Sequence, residues 1–110
     1  MQMAALQWDR AFALEQAGDD EEMLAELLDL LCSSAADDIA KIKTAMDGGD
    51  PVAMGNGAHS IKGAAASLGI VQIAKLAESM EKAGRAGDLD GAVQFYAPLV
   101  EMVAALVDCK

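Results

Sequence analysis

Residues 20–47, DEEMLAELLDLLCSSAADDIAKIKTAMD, decide the fold. Leu24, Leu28, Leu31, Ala35, Ile39, Ile42 and Met46 recur at spacings of 4, 3, 4, 4, 3 and 4. A helix turns once in 3.6 residues, so all seven fall on one stripe of a single long helix. Asp19 or Asp20 opens it, with Glu22 three residues after Asp19 in a variant of the capping box. Gly48-Gly49 closes it, and Ser33-Ser34 is the one place that offers a break. A helix with one apolar stripe needs partners of the same kind to bury it.

The rest of the chain supplies them. Before the long helix, a short segment at about 6–17 has Ala5, Trp8 and Phe12 on one face and Gly18 as its left-handed stop. After it, Asp50 and Pro51 form an N-cap and first helical residue, and a segment over 51–68 carries Ala58, Ile61, Ala65 and Leu68 inward before Gly69. A fourth segment over 71–86 turns Ile73, Leu76, Met80 and Ala83 inward, leaving the pairs Glu78–Lys82 and Glu81–Arg85 outside. The fifth, 89–107, is capped by Asp88 and carries Ala92, Tyr96, Leu99, Val103 and Leu106. Pro98 within it predicts a kink or two shorter pieces. No strand-like alternation occurs. The expected fold is all-α, one domain over 1–110: an antiparallel up-down four-helix bundle with a short extra N-terminal helix as a lid.

Composition narrows the function. The net charge of −10 argues against nucleic-acid binding and against docking on an anionic membrane. The N-terminus lacks the features of a signal peptide, and no charge-free apolar stretch reaches ~18 residues. Cys32 and Cys109 are far apart in sequence without metal-type spacing, so a reduced, cytoplasmic setting is expected. The charge is uneven: residues 1–50 carry −9 and 88–110 carry −3, whereas 51–87 carry +2. That basic island holds the only histidine, His59.

Placed on the third segment, His59 lies about 100° from the core stripe, at the edge of the buried face. Its helical neighbours are Gly55, Asn56, Lys62 and Gly63, three of them short. Glycine costs a helix roughly 1 kcal/mol relative to alanine, so Gly55, Gly57 and Gly63 read as sites stripped for the approach of another protein. A zinc site needs three or four convergent ligands, which one histidine and two remote cysteines do not provide. Ser60 points away from its neighbour, against a catalytic triad, and no phosphate-binding glycine loop is present. Histidine as a nucleophile in its own right remains: a neutral imidazole attacks phosphorus, and Lys62 one turn on neutralises phosphoryl oxygens. Donor, acceptor and metal then arrive with another protein.

His59, Lys62, Gly63 and Gly69 stand at 0, +3, +4 and +10 within AHSIKGAAASLG, residues 58–69. This pattern resembles the histidine-containing phosphotransfer (HPt) family of multistep phosphorelays. The long acidic helix beginning GDDEEMLAELLDLL, the turn GGDP and the segment AKLAESMEKAGRAGDLDGA follow the family's order. The resemblance implies a four-helix bundle with an exposed histidine that takes a phosphoryl group from a receiver-domain phosphoaspartate, or from a kinase, and passes it to a response regulator. It makes His59 the phosphorylated residue, Lys62 the phosphoryl partner and Gly63 the clearance position. The protein is then a covalent carrier and not a self-sufficient enzyme, with no cofactor of its own; Mg2+ comes with the receiver. Two departures stand out. Some relatives have glutamine bonded to the histidine where Glu81 aligns; a carboxylate there orients the imidazole but repels a phosphoryl group, and pairing with Arg85 turns it aside. Ala64 stands where some relatives have serine.

The expected partner surface comprises Gly55, Asn56, Gly63, Ala66, Ile70, Lys75, Glu81, Lys82 and Arg85, meeting the acidic pocket of a receiver. Sensor histidine kinases of the hybrid kind are the expected upstream partners, and a monomer is expected because the His59 face must stay uncovered. Met1 and the absence of linker-like ends favour a free-standing shuttle over a domain of a hybrid or chemotaxis kinase. An acyl carrier would need a serine after aspartate at a helix start, and Ser33, Ser34, Ser60, Ser67 and Ser79 are in other contexts. A helical adaptor with His59 incidental is the remaining alternative.

Overall fold

The long helix runs unbroken through Ser33-Ser34. A computed structural model describes residues 8–109, with side chains to residue 107, and has five helices among them: α1 Arg10–Gln16, α2 Glu21–Asp47, α3 Pro51–Ser67, α4 Val71–Arg85 and α5 Leu89–Cys109. Helices α2 to α5 form the antiparallel bundle. Asp20, not Asp19, caps α2, its carboxylate accepting from the backbone N–H of Glu22 and Met23. Asp19 instead takes a positive φ beside Gly18 in the turn from α1. Asp50 caps α3 through the Ala53 N–H, and Asp88 accepts from the Gly91 N–H at the start of α5.

One expectation is corrected and another narrowed. The first helix begins at Arg10, not near residue 6; residues up to 7 lie outside the described part, and with them Ala5. Asp9 is its N-cap, and Trp8 before it donates its indole N–H to the Leu68 carbonyl at 2.9 Å. The Asp9 N–H bonds the Gly69 carbonyl at 2.8 Å, so the chain is tied to the α3–α4 turn before the helix starts. The lid is thus latched by backbone, and Ala13 completes it in the core. Of the two outcomes expected at Pro98, a kink or two shorter pieces, the second does not occur: α5 is one continuous 21-residue helix.

The core follows the predicted stripes on α2, α3 and α5. Leu24, Leu28, Leu31, Ala35 and Ile42 of α2 meet Met54, Ala58, Ile61 and Ala65 of α3, Ile73, Ala77 and Met80 of α4, and Leu99, Val103 and Leu106 of α5. By length and composition Leu89–Val107 is apolar enough to cross a membrane, but it carries Asp90 and Glu101, and Ala92, Leu99, Val103, Ala105 and Leu106 are buried in the bundle. On α4 the buried face is turned from the expected one: Leu76 and Ala83 are only partly buried, whereas Glu81 and Gly84 are buried.

Helices α3 and α4 make the most intimate contact in the bundle. A Cβ on Gly84 would lie 2.8 Å from the Pro51 carbonyl oxygen and 2.9 Å from the Gly55 Cα. On the other side of α3, a Cβ on Gly57 would lie 2.8 Å from Ile42 Cγ1. Small residues therefore let α3 sink against both neighbours.

Candidate functional site

His59 sits on α3 above this tight seam, with 61% of its side chain exposed. Its Nδ1 is 2.8 Å from Oε2 of Glu81 on α4, whose side chain is only 4% exposed. The same carboxylate accepts from Lys62 Nζ at 2.6 Å on Oε1 and from Arg85 on Oε2. Three donors from two helices thus converge on one buried acid. The Lys62 hydrogen bond is the largest influence on Glu81; with the His59 hydrogen bond and the nearby Arg85 charge it outweighs burial and brings the carboxyl pKa down to about 2. At neutral pH Glu81 is an anion and can only accept hydrogen bonds.

This fixes the tautomer of the imidazole. With Glu81 accepting, Nδ1 carries the proton, and in the neutral ring the lone pair is on Nε2. A hydrogen bond to one ring nitrogen holds the plane and directs the other outward, as carboxylates bonded to metal-ligating histidines do. Glu81 is therefore not turned aside by Arg85; the arginine and the histidine share its Oε2.

The expected surface splits. Asn56, Gly63, Ala66, Lys75, Lys82 and Arg85 are exposed, and nothing lies within 4 Å of a Cβ built on Gly63. Gly55 and Ile70 are corrected: both are buried, Gly55 against the Gly84 backbone and Ile70 in the core, where an approaching protein does not touch them. Glu81 is corrected likewise, from a contact residue to a buried anchor. Gly57 serves packing against α2, so only Gly63 of the three α3 glycines faces open space. Lys62 is half-buried on Glu81, and its ammonium must leave or share that carboxylate to meet a phosphoryl group.

Sequence reasoning missed Asp38. It is buried on α2 and accepts from the Ser60 hydroxyl at 2.7 Å, tying α2 to α3 beside the histidine. Its spacing, three after Ala35 and four before Ile42, places it on the buried stripe; what hid it is its charge. The Glu81 position was visible through its i,i+4 partner Arg85, but its burial was not.

No curated protein matches the chain. Among solved structures, the histidine-containing phosphotransfer protein B (HptB) from Pseudomonas aeruginosa PAO1 superposes with a TM-score of 0.84 at 23% identity, covering 91% of this chain and 87% of that one. The HPT domain of a sensor hybrid histidine kinase from Shewanella gives 0.74 at 22% identity, covering 98% and 95%. These likenesses concern the fold. The Hpt domain family model matches residues 26–109, from the second turn of α2 to the end of α5 and across both His59 and Glu81. The chain belongs to the Hpt domain family, whose members carry out histidine phosphotransfer in phosphorelays.

Proposed function

We propose that His59 is the phosphoacceptor of this Hpt domain and that Glu81 makes Nε2 its reactive atom. The observation that carries this reading is the 2.8 Å contact between His59 Nδ1 and the buried Glu81 carboxylate, with 61% of the histidine side chain exposed. In the transfer, the Nε2 lone pair attacks the phosphorus of a receiver phosphoaspartate. The P–O bond to the aspartate breaks, its electron pair stays on that carboxylate, and a P–N bond forms. The Nδ1 proton does not move. The ring becomes a phosphoimidazolium, whose positive charge faces the Glu81 anion across an existing hydrogen bond. Reversal of the same step hands the group to the next receiver.

Lys62 exchanges part of its contact with Glu81 for the phosphoryl oxygens, and Gly63 leaves the approach open. Asn56, Ala66, Lys75, Lys82 and Arg85 border it, and these cations suit the acidic pocket of a receiver domain. The partners are response-regulator receivers and a histidine kinase in the cytoplasm, and the divalent cation belongs to the receiver. The protein acts as a monomer, because a second copy over His59 would block access.

The test is incubation with a receiver phosphorylated on its aspartate, comparing the native chain with His59→Gln. Label that survives alkali, is lost in acid and is absent from the variant is expected. Equal labelling of both would overturn the assignment.

A further inference from the structure

We propose that Arg85 is a positioning residue that acts through Glu81: it cancels the carboxylate's charge so that an acid can orient the phosphoacceptor without repelling the incoming phosphoryl group. The inference rests on His59 being that phosphoacceptor.

The problem it solves is electrostatic. A buried anion in hydrogen-bond contact with the ring opposes the delivery of a dianionic phosphoryl group to the other ring nitrogen. A neutral amide would orient the ring equally well without that opposition. Here the acid is accompanied by two cations, Lys62 on Oε1 and Arg85 on Oε2. With the imidazole neutral, Glu81, Lys62 and Arg85 carry a net +1. Once Lys62 is drawn to the phosphoryl oxygens, only Arg85 remains to offset Glu81.

The two cations are not equivalent. Lys62 is on α3 with its side chain 31% exposed, one turn from His59 and placed to swing between acid and phosphoryl group. Arg85 is on α4, one turn beyond Glu81, and bonds the same oxygen that accepts from His59. Its side chain is 72% exposed, so holding Glu81 does not require it to be buried, and its loss does not open the core. Glu81 and Arg85 therefore act as a unit, and the need for the arginine is conditional on the acid.

A chemical donor tests this without a protein partner, because His59 is the only histidine. Potassium phosphoramidate transfers its phosphoryl group as Nε2 attacks phosphorus, the donor's P–N bond breaks and ammonia leaves after taking a proton from water. Formation of phosphohistidine is followed by 31P NMR at neutral pH for the native chain, H59Q, R85A, R85K, E81Q and the double variant E81Q/R85A. Loss of one offsetting charge at a partly screened site should slow R85A by about fivefold to tenfold. R85K, which keeps the charge, should stay within about twofold of the native rate. The decisive comparison is in the E81Q background, where adding R85A should change the rate by less than about twofold, because no acid charge remains to cancel. Equal slowing by R85A in both backgrounds would mean that Arg85 acts on the phosphoryl group directly and would overturn the inference. So would an unslowed R85A, or an R85K as slow as R85A. If the native chain gains no signal that H59Q lacks, the failure lies in the phosphoacceptor assignment instead.

Discussion

Replacing Gly84 by alanine should destabilise the bundle although alanine is the better helix former, and replacing Gly63 should do the opposite. The new methyl group at 84 would lie 2.8 Å from the Pro51 carbonyl oxygen, 2.9 Å from the Gly55 Cα and 3.0 Å from the Gly55 nitrogen, where ordinary contact begins at 3.4 Å. All three atoms are backbone, so no rotamer change relieves the clash, and α3 and α4 must part by about half an ångström along the seam. Overpacking of this kind costs about 1–3 kcal/mol, and the backbone setting puts it at the upper end. The gain in helix propensity returns about 1 kcal/mol. The net loss of about 1–2 kcal/mol corresponds to a fall in Tm of roughly 4–16 °C for a domain near 100 residues. Gly63→Ala meets nothing within 4 Å and should keep the whole propensity gain, raising Tm by a few degrees. Thermal melts followed by circular dichroism measure both. A Gly84→Ala variant as stable as the native chain, or a Gly63→Ala variant less stable than it, would refute the division of these glycines into packing and surface sites.

Other consequences are accessible by similar means. Glu81 has its pKa brought from an ordinary 4.5 to about 2 in the folded state, so it stabilises the fold above pH 4.5 by at most about 3 kcal/mol, less because Arg85 and His59 are exposed. That contribution disappears as pH falls through about 2; urea titrations should show Glu81→Gln less stable than the native chain at pH 7, with the gap closing between pH 4.5 and 2. A pH-independent gap would contradict the ion cluster. Gly69 has φ +70° and would place a Cβ 2.9 Å from the Asp9 carbonyl oxygen, so Gly69→Ala should loosen the α1 latch. Hydrogen exchange of the Asp9 amide should then accelerate, and unchanged protection would count against the latch. Asp50→Ala removes the cap on the Ala53 N–H and should cost about 1 kcal/mol in denaturant melts, an effect that Asp50→Asn should largely spare.

The extents of the helices were legible because their signals are local. The seven-residue stripe from Leu24 to Met46 and the bounding Asp20 and Gly48 mark a helix whether or not its partners are known. The motif at His59, Lys62 and Gly63 was legible for the same reason, as three residues of one helix face. What stayed hidden depends on a second helix. A glycine that clears space for a visitor and one covered by a neighbouring helix have the same local sequence, and only α4 across the seam shows that Gly55 is covered. Asp38 and Glu81 fall on the buried faces, three after Ala35 and four after Ala77, but acids almost never sit inside, and the donors on α3 that meet them there leave no mark in the local sequence. Pro98 lies inside α5 without dividing it, as the single span from 89 onward allows.

The correction to Gly55 alters how the site works more than where it lies. Gly55 is one turn before His59 on α3, and Gly84 is one turn after Glu81 on α4. Their contact sets the separation of the two helices at the level where the carboxylate must reach the imidazole. A glutamate side chain is short, and a hydrogen bond at 2.8 Å has little slack before it weakens. The helix-propensity penalty of Gly84 is therefore spent on bringing α3 and α4 close, whereas a Cβ on Gly55 would meet α4 at an ordinary 3.6 Å and Gly63 leaves α3 open. The exposure of Nε2 then follows from that bond, because a ring held at Nδ1 from below presents its other nitrogen outward. Packing and chemistry are coupled through one distance, and a mutation in the seam should be felt at the histidine without touching it.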